Sequence, residues 1–310
     1  MNHYQADPYN ALEAISEAQK IAFGPMLFQA SWCLRETGVL AFLETRGSRG
    51  ASLAEIALAC ELSEYGAGVL LDMGLGGGLC YLTDEHYVLG RVGKYLLHDA
   101  MSRVNLDFTQ HVCYQPLAHL LDAIRQGSPA GLQEFGPWQT LYPHLSELPE
   151  PARRSWFAFD HFYSDWAFQQ AQDKVFGYAP RHLYDLGGNT GKWAIACAKR
   201  DPALRVTILD LPEQLALARL NIEEAGLADR VQGHPVDLLQ PGPLPGEADI
   251  WWMSQFLDCF SHAQIVAILN RVRLAMKPDA RVCILELFWD RQTFEAASFS
   301  LNATSLYFTC

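Results

Sequence analysis

Basic residues are scarce in this 310-residue chain: 23 Lys and Arg stand against 35 Asp and Glu, a formal net charge of −12. No nucleic acid partner is expected, because a phosphate backbone demands a basic face. The shortage is sharpest over residues 51–80, which hold four acidic residues and no Lys or Arg. Long apolar runs are missing too. No stretch reaches the roughly 18 apolar residues of a membrane span, and residues 1–19 are too polar for a secretory signal. A cytoplasmic chain without membrane contact is expected. Cysteine is present, eight residues in all, but never as Cys-x-x-Cys. That pattern argues for reduced core thiols rather than disulfides or zinc. The histidines are dispersed, with no His/Cys/carboxylate cluster at ligand spacing, so no metal is expected.

What the chain does have is Tyr184-Asp185-Leu186-Gly187-Gly188-Asn189-Thr190-Gly191. Residues 181–186 read as a short buried strand and 192–199 as a helix. The glycines make the tight turn between them, where a ligand can approach the backbone. Asp185 falls at the strand's carboxyl end, and Asp210 closes the next strand, 205–209. A carboxylate at that rim suits the paired hydroxyls of a ribose. The dinucleotide pattern Gly-x-Gly-x-x-Gly fails, since Asn189 and Lys192 stand where glycines are required. An adenosine ligand with an amino-acid tail fits better than one with a pyrophosphate, which Asp185 would repel. S-adenosylmethionine has that shape.

From about residue 151 onward the chain resembles the class I S-adenosylmethionine-dependent methyltransferases. Within them it is similar to the small-molecule O-methyltransferases of the plant caffeate and acetylserotonin type and their bacterial relatives. The resemblance rests on Asp185-Leu186-Gly187-Gly188, Leu209-Asp210-Leu211-Pro212, Val236-Asp237-Leu238, Ala248-Asp249-Ile250 and the strand at 281–286. It implies a Rossmann-like α/β domain at 151–310, with strands starting near 181, 205, 230, 248 and 281 in the order 3-2-1-4-5. Gly187 and Gly191 would border the cofactor, and Asp210 with Leu211 would hold the ribose. Asp237 and Leu238 would border the adenine, while Ser254 replaces a family lysine on the cofactor side. S-adenosylhomocysteine would be the product. A family glycine is Asn189 here, a mild departure because Asn tolerates left-handed backbone.

Residues 1–110 read as a helical, winged-helix-like domain. Helical periodicity at 53–60 and 63–73 precedes the run Gly74-Leu75-Gly76-Gly77-Gly78 and a strand-like segment at 81–89. The glycine run precedes a strand rather than a helix, so it reads as the tip of the wing and not as an anion site. A recognition helix without cations would be repelled by DNA, and the resemblance instead implies a homodimer through this domain. An apolar helix at 25–43, hydrophobic nearly all round, needs burial on several sides. Residues 111–150 read as linker and helical cap. The segment 155–176 then places Phe159, Phe162, Tyr163 and Trp166 on one helical face. That stripe reads as core packing, and the resemblance makes it, with His161, a candidate wall for a small aromatic substrate.

The chemistry departs from the family after the fourth strand. Where the plant-type proteins carry a catalytic His, Leu257-Asp258-Cys259-Phe260-Ser261-His262 puts Asp258. His262 falls four residues on, one helical turn away, and Ser261 reads as the N-cap of that helix. Glu286 matches the family acid that flanks the base. An ordinary Asp is a weak base for a phenol, but burial and a second carboxylate raise its pKa. Asp258 and Glu286 are therefore expected as a coupled pair; the alternative makes Asp258 a helix-entry residue and leaves proximity to drive methylation. Either oxygen or ring carbon fits as methyl acceptor. The resemblance extends to relatives from aryl-polyene pigment pathways, which implies a hydroxyaryl acceptor. A helix at 293–308 leaves no residues for the family's closing hairpin, so a truncated chain with an exposed fifth strand is expected. The second function class is a non-catalytic cofactor-binding pseudoenzyme or dimer partner.

Overall fold

The computed structural model describes residue 4 and residues 6–165 and 167–307. The chain divides into two compact units, residues 2–114 and 115–310. Of the segment read as linker and cap, residues 115–150 therefore belong to the second unit. They carry short helical turns at Ala130–Glu134 and Tyr142–Glu147, and they bury Leu141, Leu145 and Leu148.

The first unit holds α1 (Ala11–Ala22), α2 (Gly24–Glu36), α3 (Val39–Arg46), α4 (Leu53–Ala59) and α5 (Glu64–Gly76). A hairpin of β1 (Cys80–Thr83) and β2 (His86–Leu89) follows, then α6 (Arg91–His98) and α7 (Ala100–Phe108). Helix starts follow the local chemistry: Asn10 with Glu13, and Ser52 with Glu55, form capping boxes that satisfy orphan N–H groups. Leu34, Leu40, Leu43, Ile56 and Leu71 form the core.

Two expectations need correction here. The apolar segment 25–43 is not one helix but α2 and α3, broken at Gly38 with φ +80°. The glycine run is not the wing tip: Gly74 and Gly76 lie in the last turns of α5, and Leu79 N–H returns to Gly74 O at 2.8 Å. Such a closing bond ends a helix at a left-handed residue, here Gly78 with φ +70°. The tip is Asp84-Glu85, both with positive φ, as a tight hairpin turn requires.

The second unit holds α8 (Leu120–Gln126), α9 (Glu150–Asp165), α10 (Phe168–Phe176), β3 (His182–Leu186), α11 (Lys192–Arg200), β4 (Arg205–Asp210) and α12 (Pro212–Glu224). After these come β5 (Val231–Pro235), β6 (Ile250–Ser254), α13 (His262–Ala275), β7 (Arg281–Leu285) and α14 (Glu295–Tyr307). The five strands pair in parallel in the order β5-β4-β3-β6-β7. Relabelled by position, this is the expected 3-2-1-4-5.

Alternation fills both faces of the sheet. Leu183, Val206, Ile208, Ile250 and Trp252 pack with α10, α11 and α12, and Trp193 stacks on Trp252 at 4.0 Å between ring centroids. Tyr184, Leu186, Leu209, Trp251 and Met253 pack with α13. A sheet covered on both sides reads as continuous apolar strands, which is why these segments are visible in the sequence. At the edge, β7 leaves Val282 and Ile284 exposed, and on α14 Phe299 is exposed. The order β4-β3-β6 puts the ends of β3 and β6 side by side, with their turns at one rim.

Candidate active site

The turn after β3 needs its unusual residues. Gly187, Asn189 and Gly191 have φ of +67°, +49° and +78°, the left-handed region that Gly occupies freely and Asn tolerates. Gly187 N–H donates to Leu209 O at 2.9 Å, tying the turn to β4. A Cβ on Gly187 would lie 2.2 Å from the Phe256 ring. The space beside that glycine is thus filled by an aromatic side chain from the turn after β6, rather than left open for a ligand.

Asp185 and Asp210 divide the labour. Asp185 is 2 % exposed, and its Oδ2 has no hydrogen-bond partner. It lies beneath the turn, where a Cβ on Gly188 would come within 2.7 Å of that oxygen. Burial first, and then the charge of Asp210, push its carboxyl up to about 8, against a bond from Ala194 N–H. Its place is thus buried beneath the turn rather than open at the rim, with its one bond from Ala194 N–H on α11. Asp210 accepts Asn189 N–H at 2.9 Å and Leu211 N–H at 2.7 Å. Burial raises it to about 6, opposed by those two bonds. A carboxylate offers about four lone-pair sites, so two remain for hydroxyls.

The other cofactor-side candidates take different places. Asp237 Oδ1 caps its own turn by accepting Leu239 N–H at 2.8 Å. Leu238 is 7 % exposed, with its side chain in the core beside Leu209 and Trp251. Arg271 on α13 donates to the carbonyls of both Asp237 and Leu238 and so fixes this loop. Ser254 ends β6 with a buried Oγ that has no partner.

At the adjacent turn, Leu257–Cys259 is a single 3-10 turn carrying Asp258. Glu286 Oε1 accepts Phe256 N–H at 3.1 Å and Leu257 N–H at 2.9 Å. Burial and then Asp258's charge push Glu286 up to about 7, against these backbone bonds. Asp258 is also raised, by desolvation first and then by Asp160, while the Cys259 thiol and nearby N–H groups oppose. Its residue still meets solvent, which limits that shift. Asp258 and Glu286 thus come together. His262 does not join them: it is exposed at the start of α13, behind a capping box of Ser261 and Gln264.

On α9, Phe159 and Tyr163 are buried with rings 4.8 Å apart, and Phe162 meets Tyr163 at 5.1 Å. His161 faces Asp165 at 3.6 Å, and Asp165 pairs with Lys192 at 2.7 Å. Trp166 lies outside the described residues. Three site residues were not singled out from the sequence. Asp160 accepts from Asn189 Nδ2 at 2.9 Å, Phe256 covers Gly187, and Tyr142 donates its hydroxyl to Cys259 Sγ. An acid inside an aromatic run was the one available signal for Asp160. Among the described residues, no group of three or more His, Cys, Asp or Glu could hold a metal ion. No helix among them is long and apolar enough to cross a membrane.

Residues 173–308 match the family model of the O-methyltransferase domain, and residues 16–87 match the Dimerisation2-like domain. The aclacinomycin 10-hydroxylase RdmB of Streptomyces purpurascens is 32 % identical over 205 residues, 63 % of this chain and 52 % of that protein. The L-tyrosine C(3)-methyltransferase of Streptomyces lavendulae is 26 % identical over 268 residues, 85 % of this chain and 72 % of that protein. This chain therefore spans about half the length of the first relative. The crystal structure of the S-adenosylmethionine-dependent methyltransferase SibL in its apo form superposes with a TM-score of 0.69 at 28 % identity, covering 95 % of this chain and 86 % of that one. Sheet order, glycine turn and family model agree for the second unit: residues 173–308 belong to the O-methyltransferase domain family, and a segment matching the Dimerisation2-like domain stands ahead of them.

Proposed function

We propose that the second unit binds S-adenosylmethionine and transfers its methyl group to a small hydroxyaryl acceptor, with oxygen favoured slightly over ring carbon. The residues fit the cofactor by two features: Asp210 keeps lone pairs for ribose hydroxyls, and buried Asn189 Oδ1 and Ser254 Oγ have no partner beside the same turn. When bound, the cofactor supplies an electrophilic methyl on a sulfonium, whose departure as a thioether needs no acid. Asp210 holds the turn in shape through Asn189 N–H, with Asp185 buried beneath it. Asp258 takes the acceptor's proton as its oxygen bonds to the methyl, and Glu286 fixes the backbone that carries Asp258. The acceptor lies against Phe159, Phe162 and Tyr163, and positioning supplies much of the rate. Asp237 and Leu238 border the adenine through their loop, and no metal takes part.

The observation that carries the reading is the Asp258–Glu286 pair beside the glycine turn, with Glu286 raised to about 7. Burial raises the base itself, Asp258, as well, and a carboxylate so raised is a better base than an ordinary one. Incubation with S-adenosylmethionine and a panel of hydroxyaryl acceptors should yield S-adenosylhomocysteine and methylated product in equal amounts. Cofactor binding with no transfer to any acceptor would favour a second reading, a cofactor-binding protein without methyl transfer. The aclacinomycin relative, named for a hydroxylation, keeps that reading in view.

We also propose a homodimer through the first unit. Leu12, Ile15, Ile21, Phe23 and Met26 are all more than half exposed along α1 and the start of α2. So much apolar surface on adjoining helices favours association. A monomer by light scattering at micromolar concentration would overturn this.

A further inference from the structure

The residue in the turn that departs from the family pattern, Asn189, makes more contacts than a backbone role requires. Its N–H donates to Asp210 Oδ2 at 2.9 Å, and its side-chain Nδ2 donates to Asp160 Oδ2 on α9 at 2.9 Å. The other end of the same amide, Oδ1, is buried and receives no hydrogen bond. The amide's orientation is set by chemistry: turned over, its oxygen would face the Asp160 carboxylate, acceptor against acceptor. A buried acceptor without a donor is costly, and at a ligand site it marks where a donor arrives. The surroundings specify the charge of that donor. Asp160 and Asp210 both touch Asn189, and although burial raises each, their ionised forms stabilise a cationic donor there and repel an anionic group. Lys192 does not compete, because its ammonium is engaged with Asp165 at 2.7 Å. His161 also turns toward Asp165.

Resting on the reading that this turn binds S-adenosylmethionine, we propose that Asn189 recognises the ammonium of the cofactor's amino-acid end. Oδ1 accepts from the ammonium while Nδ2 stays on Asp160. One amide thereby joins the cofactor to the helix carrying Phe159, Phe162 and Tyr163. The glycine that stands here in the family pattern could shape the turn but could make neither contact.

The test compares two ligands by titration and needs no turnover: S-adenosylhomocysteine, and its deamino analogue in which hydrogen replaces the ammonium. The wild-type protein should prefer the ammonium-bearing ligand. Asn189→Gly keeps the left-handed backbone and should shrink that preference by about fivefold or more, the worth of a lost charge-assisted hydrogen bond. Affinity for the deamino analogue should stay within about twofold of wild type. Asp160→Ala frees the amide to rotate and should shrink the preference by a smaller factor, about threefold. An unchanged preference in Asn189→Gly overturns the proposal. Equal weakening of both ligands also overturns it, since the side chain would then serve only the shape of the turn. If the wild type binds neither ligand, the cofactor reading fails with it. If it binds both equally, the cofactor reading stands and this inference alone falls.

Discussion

Two acids at the rim of the sheet hold turns in the same way and leave different tips behind. Asp210, closing β4, takes the N–H of Asn189 in the turn after β3. Glu286, just past β7, takes the N–H groups of Phe256 and Leu257 in the turn after β6. In each case a carboxylate on the outer strand fixes the turn of the inner strand beside it. The tip after β3 presents backbone, glycines and one amide. The tip after β6 presents a carboxyl, Asp258. Burial raises both holding acids, but only Glu286 is raised further by a neighbouring acid. In the proposed function the same device serves binding on one side and proton transfer on the other.

The comparison breaks most visibly at Asp258. Asp258→Asn removes the proposed base and leaves the Glu286 clasp on the backbone, so turnover should fall by roughly 10²–10⁴-fold. Affinity for S-adenosylhomocysteine should be unchanged, because the turn after β3 is untouched. Full activity in this variant would make Asp258 a structural residue. On the other side, Asp210→Ala should weaken cofactor binding by about 1–3 kcal/mol, through lost bonds to the ligand and a loosened turn. Calorimetric titration would read this directly, and an unchanged affinity would remove Asp210 from the site. Glu286→Gln is gentler. The amide oxygen can still accept the two N–H groups, but the negative charge beside Asp258 is gone. Asp258 must be ionised to act, so the rate falls on acidification through the apparent pKa of the pair. Losing the Glu286 charge should lower that inflection. An inflection that moves upward, or not at all, would separate the two acids.

The sequence showed these two turns unequally. The strands are legible because both faces are buried: Leu183-Tyr184 and Trp251-Trp252 send neighbours to opposite faces of the sheet, leaving no polar positions to blur the pattern. The glycine turn is legible because positive φ restricts the residue types that fit. The run at Gly74 misleads for the same reason, since a helix end also wants glycines and only the bond from Leu79 to Gly74 tells the cases apart. Thr37-Gly38 likewise hides a helix break inside an apolar stretch. Phe256 over Gly187 and Asp160 against Asn189 were out of reach. Each is a contact between elements far apart in sequence, made by residue types that elsewhere would be ordinary core or ordinary surface.

The smallest effect should sharpen the comparison by counting protons. Burial pushes Asp210 up to about 6, and two ribose hydroxyls donate more favourably to its ionised form than to the protonated one. Binding therefore favours deprotonation, and near pH 6 a fraction of a proton should be released for each cofactor bound. Affinity should rise with pH through that range and level off above it, once Asp210 is ionised in both states. Titrations in two buffers of different ionisation enthalpy would report the released proton as a difference in apparent heat. Asp258→Asn should leave that difference intact, since the acid after β6 does not touch the ribose. Asp210→Asn should abolish it. If the release instead disappears with Glu286→Gln and persists in Asp210→Asn, the roles assigned to the two clasping acids must be exchanged.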